Sequence, residues 1–241
     1  MPLLVSDLLR GMEQVHHSSE VVTADPTPRR FAFADIADRS RRLAAGLRGL
    51  GIRPGGVVAT LAWNTHEHLE TLLATTLLGA TVNAVNVRMS ADILAGALRD
   101  PAADVLVVDA SLLDPADRVG VETAPVVREF AAAGRPVVIV GGTGCPFPGA
   151  YDYQSLLVGE AVREALVADE DAVAFIFHSG GTTGPPKSYP VSQRAVMLHA
   201  LAQRDPLRRP GPAAASDLPR QRLGAAAGVA ADRRLARPPR P

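Results

Sequence analysis

Three short runs, Val57–Ala62, Asp104–Val108 and Val173–His178, are almost unbroken in apolar residues. A strand with one wet face alternates apolar and polar residues. A run without alternation is buried on both faces, which points to the middle of a parallel sheet covered by helices. The intervening segments supply those helices. Phe33–Leu50 places Phe33, Ile36, Leu43, Leu47 and Leu50 at helical spacing and stops at Gly51, and Thr65–Leu78 is closed by Gly79 in the same way. Further helices are predicted over Ser90–Leu98 with Ser90 as N-cap, within Asp114–Ala133, within Gln154–Ala168 and from Ser192 to about Leu201. Further strands are predicted at Glu20–Ala24, Thr81–Val87 and Pro136–Val140, while Asp25–Pro28, Arg53–Gly56 and Gly141–Tyr153 read as turns or loops. Repeated strand–helix–strand order predicts the α/β class with a mainly parallel sheet and flanking helices.

Composition narrows the function classes. The chain has 241 residues, 47% hydrophobic, enough to build a core. A single cysteine, Cys145, excludes a disulfide framework and a thiolate metal cluster. No apolar run approaches the roughly 18–20 residues that span a bilayer. Met1–Arg10 lacks a basic leader and a cleavage site, so the expectation is a mature, cytoplasmic protein. Residues 203–241 differ from the rest: nine Arg, nine Ala and seven Pro, with no aromatic residue. Such a segment buries too little apolar surface to offset its ordering entropy. The expected division is therefore an ordered 1–202 and a disordered tail, 203–241. Basic residues are Arg throughout except for one lysine, Lys187.

That lysine ends the stretch with most chemical content, Phe175-Ile176-Phe177-His178-Ser179-Gly180-Gly181-Thr182-Thr183-Gly184-Pro185-Pro186-Lys187. An apolar strand runs into glycines that let the backbone approach an anion, hydroxyls that donate to it, and a mobile positive charge. The loop is not a Walker A motif, because Pro186 precedes the lysine and Pro190 follows it, so no helix opens there. Ser-Gly-Gly-Thr-Thr-Gly-Pro-Pro-Lys resembles the signature loop of the AMP-forming adenylate synthetases, which include acyl-CoA synthetases, luciferases and peptide-synthetase adenylation domains. The resemblance extends to Ser192-Gln193-Arg194 with Val196–Ala200, to Val58–His66, to Gly79-Ala80 through Asn83, Asn86 and Arg88, and to Phe33–Ile36, covering about residues 8–202 and pointing to the medium-chain fatty-acyl-CoA ligases.

The resemblance implies the N-terminal portion of the adenylate-forming fold and a two-step ligation of a fatty or related carboxylic acid to coenzyme A through an acyl-adenylate. It implies ATP with Mg2+ and coenzyme A as co-substrates. Ser179, Thr182 and Thr183 would donate to phosphate oxygens, Gly180, Gly181 and Gly184 would supply close N–H groups, and Lys187 would offset the charge of departing pyrophosphate. Three departures from the pattern bear on loop closure: Ser188 where glycine is common, Tyr189-Pro190 where small or aliphatic residues are usual, and Gln193 where a histidine follows the serine. Nothing after about Leu201 continues the resemblance. The family's magnesium-holding glutamate, ribose-binding aspartate and C-terminal catalytic lysine have no counterpart in the chain, which reads as a truncated or frameshifted synthetase, inactive alone. No catalytic residue is assigned.

Two other readings stand beside this one. The first is a non-catalytic module, or half of a split synthetase, that pairs with itself or with a missing remainder. The second is nucleic-acid binding through the basic tail, disfavoured because the tail lacks aromatics for stacking. An unfinished sheet would also expose edges and invite aggregation. His66, His68 and Glu70 lack the His-Glu-x-x-His metal spacing and read as a solvated helix face. Trp63 reads as packing, His178 as either a nucleotide contact or a structural residue, His16 and His17 as exposed, and Cys145 as unassigned.

Overall fold

The computed structural model describes residues 2–25, 27–114, 118–142, 146–167, 169–179 and 187–203. In chain order the elements are α1 (Asp7–Gln14), β1 (Glu20–Asp25), β2 (Thr27–Ala32), α2 (Phe33–Gly49), β3 (Val57–Leu61), α3 (His66–Leu77), β4 (Thr81–Ala84), α4 (Ala91–Arg99), β5 (Val105–Asp109), α5 (Arg118–Ala132), β6 (Val137–Val140), β7 (Ala150–Asp152), β8 (Val173–His178), β9 (Ser188–Ser192) and α6 (Gln193–Gln203). Single 3-10 turns occupy Ala110–Leu113 and Gln154–Leu157.

Seven strands form one sheet in the order β7-β6-β5-β3-β4-β8-β9. Every neighbouring pair is parallel except β8 and β9. From β3 the chain goes to β4 on one side, recrosses to β5, β6 and β7 on the other, then returns to lay β8 outside β4. Sheets wound in both directions from a central strand place ligands beyond the carboxyl ends of their strands.

Consecutive residues of the central strands enter opposite layers, as the two-residue period of a strand requires. Val58, Val105, Val107, Val138 and Val140 pack against Leu43 and Leu47 of α2 and Leu73 and Leu77 of α3. Ala59, Leu61, Leu106, Val108 and Ile139 pack against Leu94 and Leu98 of α4 and Val126, Val127 and Phe130 of α5. The runs of β3 and β5 are thus buried on both faces, as their lack of alternation predicts, whereas β8 is exposed at Val173 and only partly buried at Ile176 and Phe177. A third cluster joins Val82, Ala174 and Phe175 to Val5 and Leu72, with Val196 and Met197 of α6 against it. Gly51 and Gly79 take the positive φ values, +102° and +67°, that close α2 and α3.

Several local expectations are corrected. The turn read at Asp25–Pro28 is narrower, because Thr27–Ala32 forms β2 and pairs antiparallel with β1. The loop read over Gly141–Tyr153 contains the short edge strand β7. The helix expected within Gln154–Ala168 is only the 3-10 turn. Gly46 explains why: a Cβ there would lie 2.6 Å from the Leu156 carbonyl oxygen, so the Leu156 backbone is pressed onto α2. The following residues then run as a strap across the helices, with the Val162 N–H donating to the Arg41 carbonyl (3.0 Å) and the Leu166 N–H to the Leu77 carbonyl (2.9 Å). Ser90 occupies the N-cap position of α4 without a capping side-chain bond; the Ala91 N–H donates instead to Glu122 Oε2 at 2.8 Å. The expected tail, 203–241, lies outside the described residues except for Gln203.

β9 is an unexpected strand and, among the described residues, the last of the sheet on that side. The Ser179 N–H donates to the Lys187 carbonyl, which sets the alternation of the β8–β9 ladder. Pro190, opposite Ile176, then falls in a non-hydrogen-bonded pair and turns its donor-less nitrogen to the open side.

Candidate functional site

β8 is a partly buried strand beside β4, and its carboxyl end delivers His178 and Ser179 to the edge of the sheet where ligands of such folds bind. The glycine-threonine loop begins there. Its base is pinned by a reciprocal pair of bonds: the Ser179 N–H donates to the Lys187 carbonyl at 3.0 Å, and the Lys187 N–H donates to Ser179 Oγ at 3.0 Å. Lys187 is exposed and leads into β9, not into a helix, as the flanking prolines imply. Of the residues expected to hold phosphate, Ser179 and Lys187 are therefore brought together at one loop base. Gly180, Gly181, Thr182, Thr183 and Gly184 lie outside the described residues.

Beneath the loop base lies a polar group that local sequence did not assign. His178 is buried, and its Nε2 lies 2.7 Å from Asn83 Oδ1. The Asn83 amide donates to the Ala97 carbonyl of α4 at 2.7 Å, which fixes its oxygen toward the imidazole. Nε2 therefore carries the ring hydrogen. Burial pushes the His178 pKa below the ordinary imidazole value, against the pull of Asp100, so the neutral ring presents Nδ1 as an acceptor. Ser188 Oγ lies 3.4 Å from Nδ1 and 3.4 Å from the Asp100 carbonyl. The available signal was an asparagine between apolar neighbours in Val82–Val85; its partner is 95 residues away.

Another departure from the family pattern, Gln193, has a structural role. Gln193 is fully buried, and its Oε1 accepts from the Val5 N–H at 2.9 Å. That bond, together with the Leu3 N–H donating to Glu170 Oε2 at 2.7 Å, ties the N-terminal segment to the start of α6. Glu170 is also paired with Arg194.

The His66, His68 and Glu70 group is not a solvated face. His66, Glu67 and Glu70 are buried in α3, the first two beside the β1–β2 hairpin. Phe31 stacks on His66 with centroids 3.9 Å apart, and the His66 N–H donates to Thr23 Oγ1 at 3.0 Å. Glu67 Oε2 lies 2.9 Å from His66 Nδ1 and Oε1 lies 3.2 Å from Arg29. Burial pushes the Glu67 pKa up, but His66, its own backbone N–H and Thr65 outweigh burial and hold it at about 2. Glu70 differs. Arg39 Nε donates to it at 2.7 Å and the Tyr153 hydroxyl at 2.6 Å, yet burial still holds it above the ordinary carboxylate range. Burial drives His68 down to about 4, against a backbone hydrogen bond at Trp63. Among the described residues no three His, Cys, Asp or Glu side chains form a group that could hold a metal. Trp63 packs on the α4–α5 layer and donates from Nε1 to Ser111 Oγ at 3.0 Å. His16 and His17 are exposed, and Cys145 lies outside the described residues. No helix among the described residues is long and apolar enough to cross a membrane.

Comparison with known proteins agrees with this geometry. The 3-methylmercaptopropionyl-CoA ligase of Ruegeria lacuscaerulensis is 29% identical over 208 residues, covering 83% of this chain and 37% of that protein. The long-chain-fatty-acid–CoA ligase of Thermus thermophilus is 34% identical over 173 residues, covering 72% of this chain and 30% of that protein. The chain thus spans about a third of the length of these curated relatives. Among solved structures, the anthranilate CoA ligase AuaEII in complex with anthranoyl-AMP superposes with a TM-score of 0.70 at 22% identity, over 83% of this chain and 37% of that one. The acetoacetyl-CoA synthetase of Streptomyces lividans superposes with a TM-score of 0.71 at 24% identity, over 84% and 32%; both show a shared fold. The model of the AMP-binding enzyme family matches residues 12–218, running past the 8–202 span read from motifs. With most of its length inside that match, the chain belongs to the AMP-binding enzymes, the adenylate-forming superfamily.

Proposed function

We propose that this chain carries the phosphate-handling part of an AMP-forming carboxylate–CoA ligase, acting in the cytoplasm. The observation that carries the reading is the reciprocal Ser179–Lys187 bonding at the base of the loop that leaves β8. It joins Ser179, with its hydroxyl, to Lys187, an exposed lysine, at the carboxyl end of β8. ATP fits such a base through its phosphates, since both groups are suited to anionic oxygens. In the ligation, a carboxylate oxygen bonds to the α-phosphorus and the bond to pyrophosphate breaks. The thiolate of coenzyme A then bonds to the acyl carbon and AMP leaves. Lys187, with Ser179, Thr182, Thr183 and the N–H groups of Gly180, Gly181 and Gly184, would hold the β,γ-phosphates and offset the charge that pyrophosphate carries away. Magnesium would enter bound to ATP, and no described residue is assigned to it. Ligation as a whole is proposed for the full length of such enzymes, of which this chain spans about a third.

Titration of the 241-residue chain with pyrophosphate and with ATP tests the reading. Lys187→Ala is expected to weaken binding about tenfold or more, the scale of one charge-assisted hydrogen bond. Equal binding by wild type and variant, or no binding by wild type, refutes it. Acid-dependent ATP–pyrophosphate exchange by the chain alone is expected to be absent.

A second reading, self-association through β9 and α6, is favoured by the exposure of Tyr189, Leu198 and Leu201. Light scattering of the eluted chain tests it; a monomer at high concentration removes it.

A further inference from the structure

We propose that Asn83, His178 and Ser188 form a buried positioning relay that holds the Lys187 backbone at the base of the loop. The proposal rests on the phosphate-loop reading for its purpose, while its geometry stands on the described residues alone. The relay starts at the Ala97 carbonyl of α4, passes through the Asn83 amide, then from Asn83 Oδ1 to His178 Nε2, and from Nδ1 to Ser188 Oγ. It crosses from α4 through β4 and β8 to β9, three adjacent strands. Its two ends at the loop, His178 and Ser188, are direct partners across the β8–β9 ladder, and they flank the Ser179–Lys187 pair.

The logic is one of donors and acceptors. Ala97 fixes the amide, the amide fixes the ring hydrogen on Nε2, and the ring offers Nδ1 to the serine hydroxyl. That hydroxyl has one hydrogen and two acceptors, Nδ1 and the Asp100 carbonyl, so Ser188 is drawn to a site between β8 and the end of α4. A glycine, the residue resembling sequences carry here, has no hydroxyl and cannot close the relay. Ser188 is therefore not a defect in the loop. It adds a tether to the residue next to the lysine, and it makes His178 and Asn83 positioning residues that act through Ser188.

Amide hydrogen exchange of the full chain reads this directly and needs no ligand. In Ser188→Ala, the Ser179 and Lys187 amides are expected to exchange about fivefold faster, the factor for one neutral hydrogen bond, while Val107 in the core is unchanged. Ser188→Thr, which keeps the hydroxyl, is expected to restore the wild-type rates. His178→Phe is expected to match Ser188→Ala, and the double variant to add nothing. Unchanged rates in Ser188→Ala, or acceleration shared equally by Val107, would overturn the relay. A nitrogen spectrum of His178 showing the hydrogen on Nδ1 in wild type would overturn it too. Pyrophosphate titration separates the two claims: faster loop-base exchange in Ser188→Ala, with no pyrophosphate binding by wild type, supports the relay and removes the phosphate reading.

Discussion

Removing Arg39 should be costly at neutral pH and cheaper in acid. The Glu70 side chain is fully buried and Arg39 is 24% exposed, with Nε 2.7 Å from Oε1. Arg39→Ala leaves the carboxylate with the Tyr153 hydroxyl as its remaining close partner. Breaking a buried ion pair costs about 3–5 kcal/mol; the partial exposure of Arg39 lowers this to roughly 2–4 kcal/mol. For a chain of this size that is a fall of roughly 5–12 °C in Tm. The pH dependence follows from linkage. Glu70 already has a folded pKa above its ordinary value, and loss of Arg39 raises it further. A raised carboxyl pKa means the native state binds more protons than the unfolded chain, so stability falls as pH rises through the folded pKa. The gap between wild type and Arg39→Ala should therefore be widest near pH 7 and narrow toward pH 5. Urea denaturation at both pH values measures it, with Glu70→Gln as the control background. There, the cost of Arg39→Ala should drop to about 1 kcal/mol, that of one neutral hydrogen bond, and lose its pH dependence. A loss below about 1 kcal/mol at pH 7 in the Glu70 background, or a gap that does not narrow, refutes the argument.

Glu67 should behave oppositely. Its pKa is depressed to about 2, so its stabilisation is present above the ordinary carboxylate value and is lost as pH falls toward 2; Glu67→Gln should flatten that part of an acid-unfolding curve. Gly46→Ala should destabilise by about 1–3 kcal/mol, because its Cβ meets the Leu156 backbone at 2.6 Å. Gly96→Ala, in α4 with nothing within 4 Å, should instead raise stability by about 0.5–1 kcal/mol in the same thermal assay.

The parts of the fold legible in sequence were those whose cause is local. α2 and α3 carry their own periodicity and glycine stops, and β3, β5 and β8 carry unbroken apolar runs. β2 carries neither: its first residues, Thr27 and Pro28, read as the end of a turn and Arg29–Ala32 shows no pattern, and its order comes from pairing with β1 and from Phe31 on His66. β9 was hidden by Pro190, a residue that edge strands tolerate and central strands do not. At the site, the Ser179 and Lys187 pair was legible because the loop motif is contiguous. The Asn83–His178 bond was not, since no local pattern couples positions so far apart. The His66, His68 and Glu70 face was misread because charged residues at a helix start are usually wet, and what dries it, the hairpin over His66 and Arg39 with Tyr153 on Glu70, is invisible to periodicity.

Pro190 carries a consequence for how this sheet could grow. An edge strand is a polymerisation template: an incoming strand adds by filling a row of alternating donors and acceptors. β9 offers that row with its middle donor replaced by a ring carbon, and at the opposite end β7 offers only three residues, Ala150–Asp152. Both termini of the sheet are thus poor initiators, one chemically blocked and the other too short to hold a newcomer. Among the described residues the two edge strands are stopped ends. Association between copies should then proceed through side chains such as Tyr189 and Leu198, which an added detergent can cover, and not through backbone ladders, which it cannot.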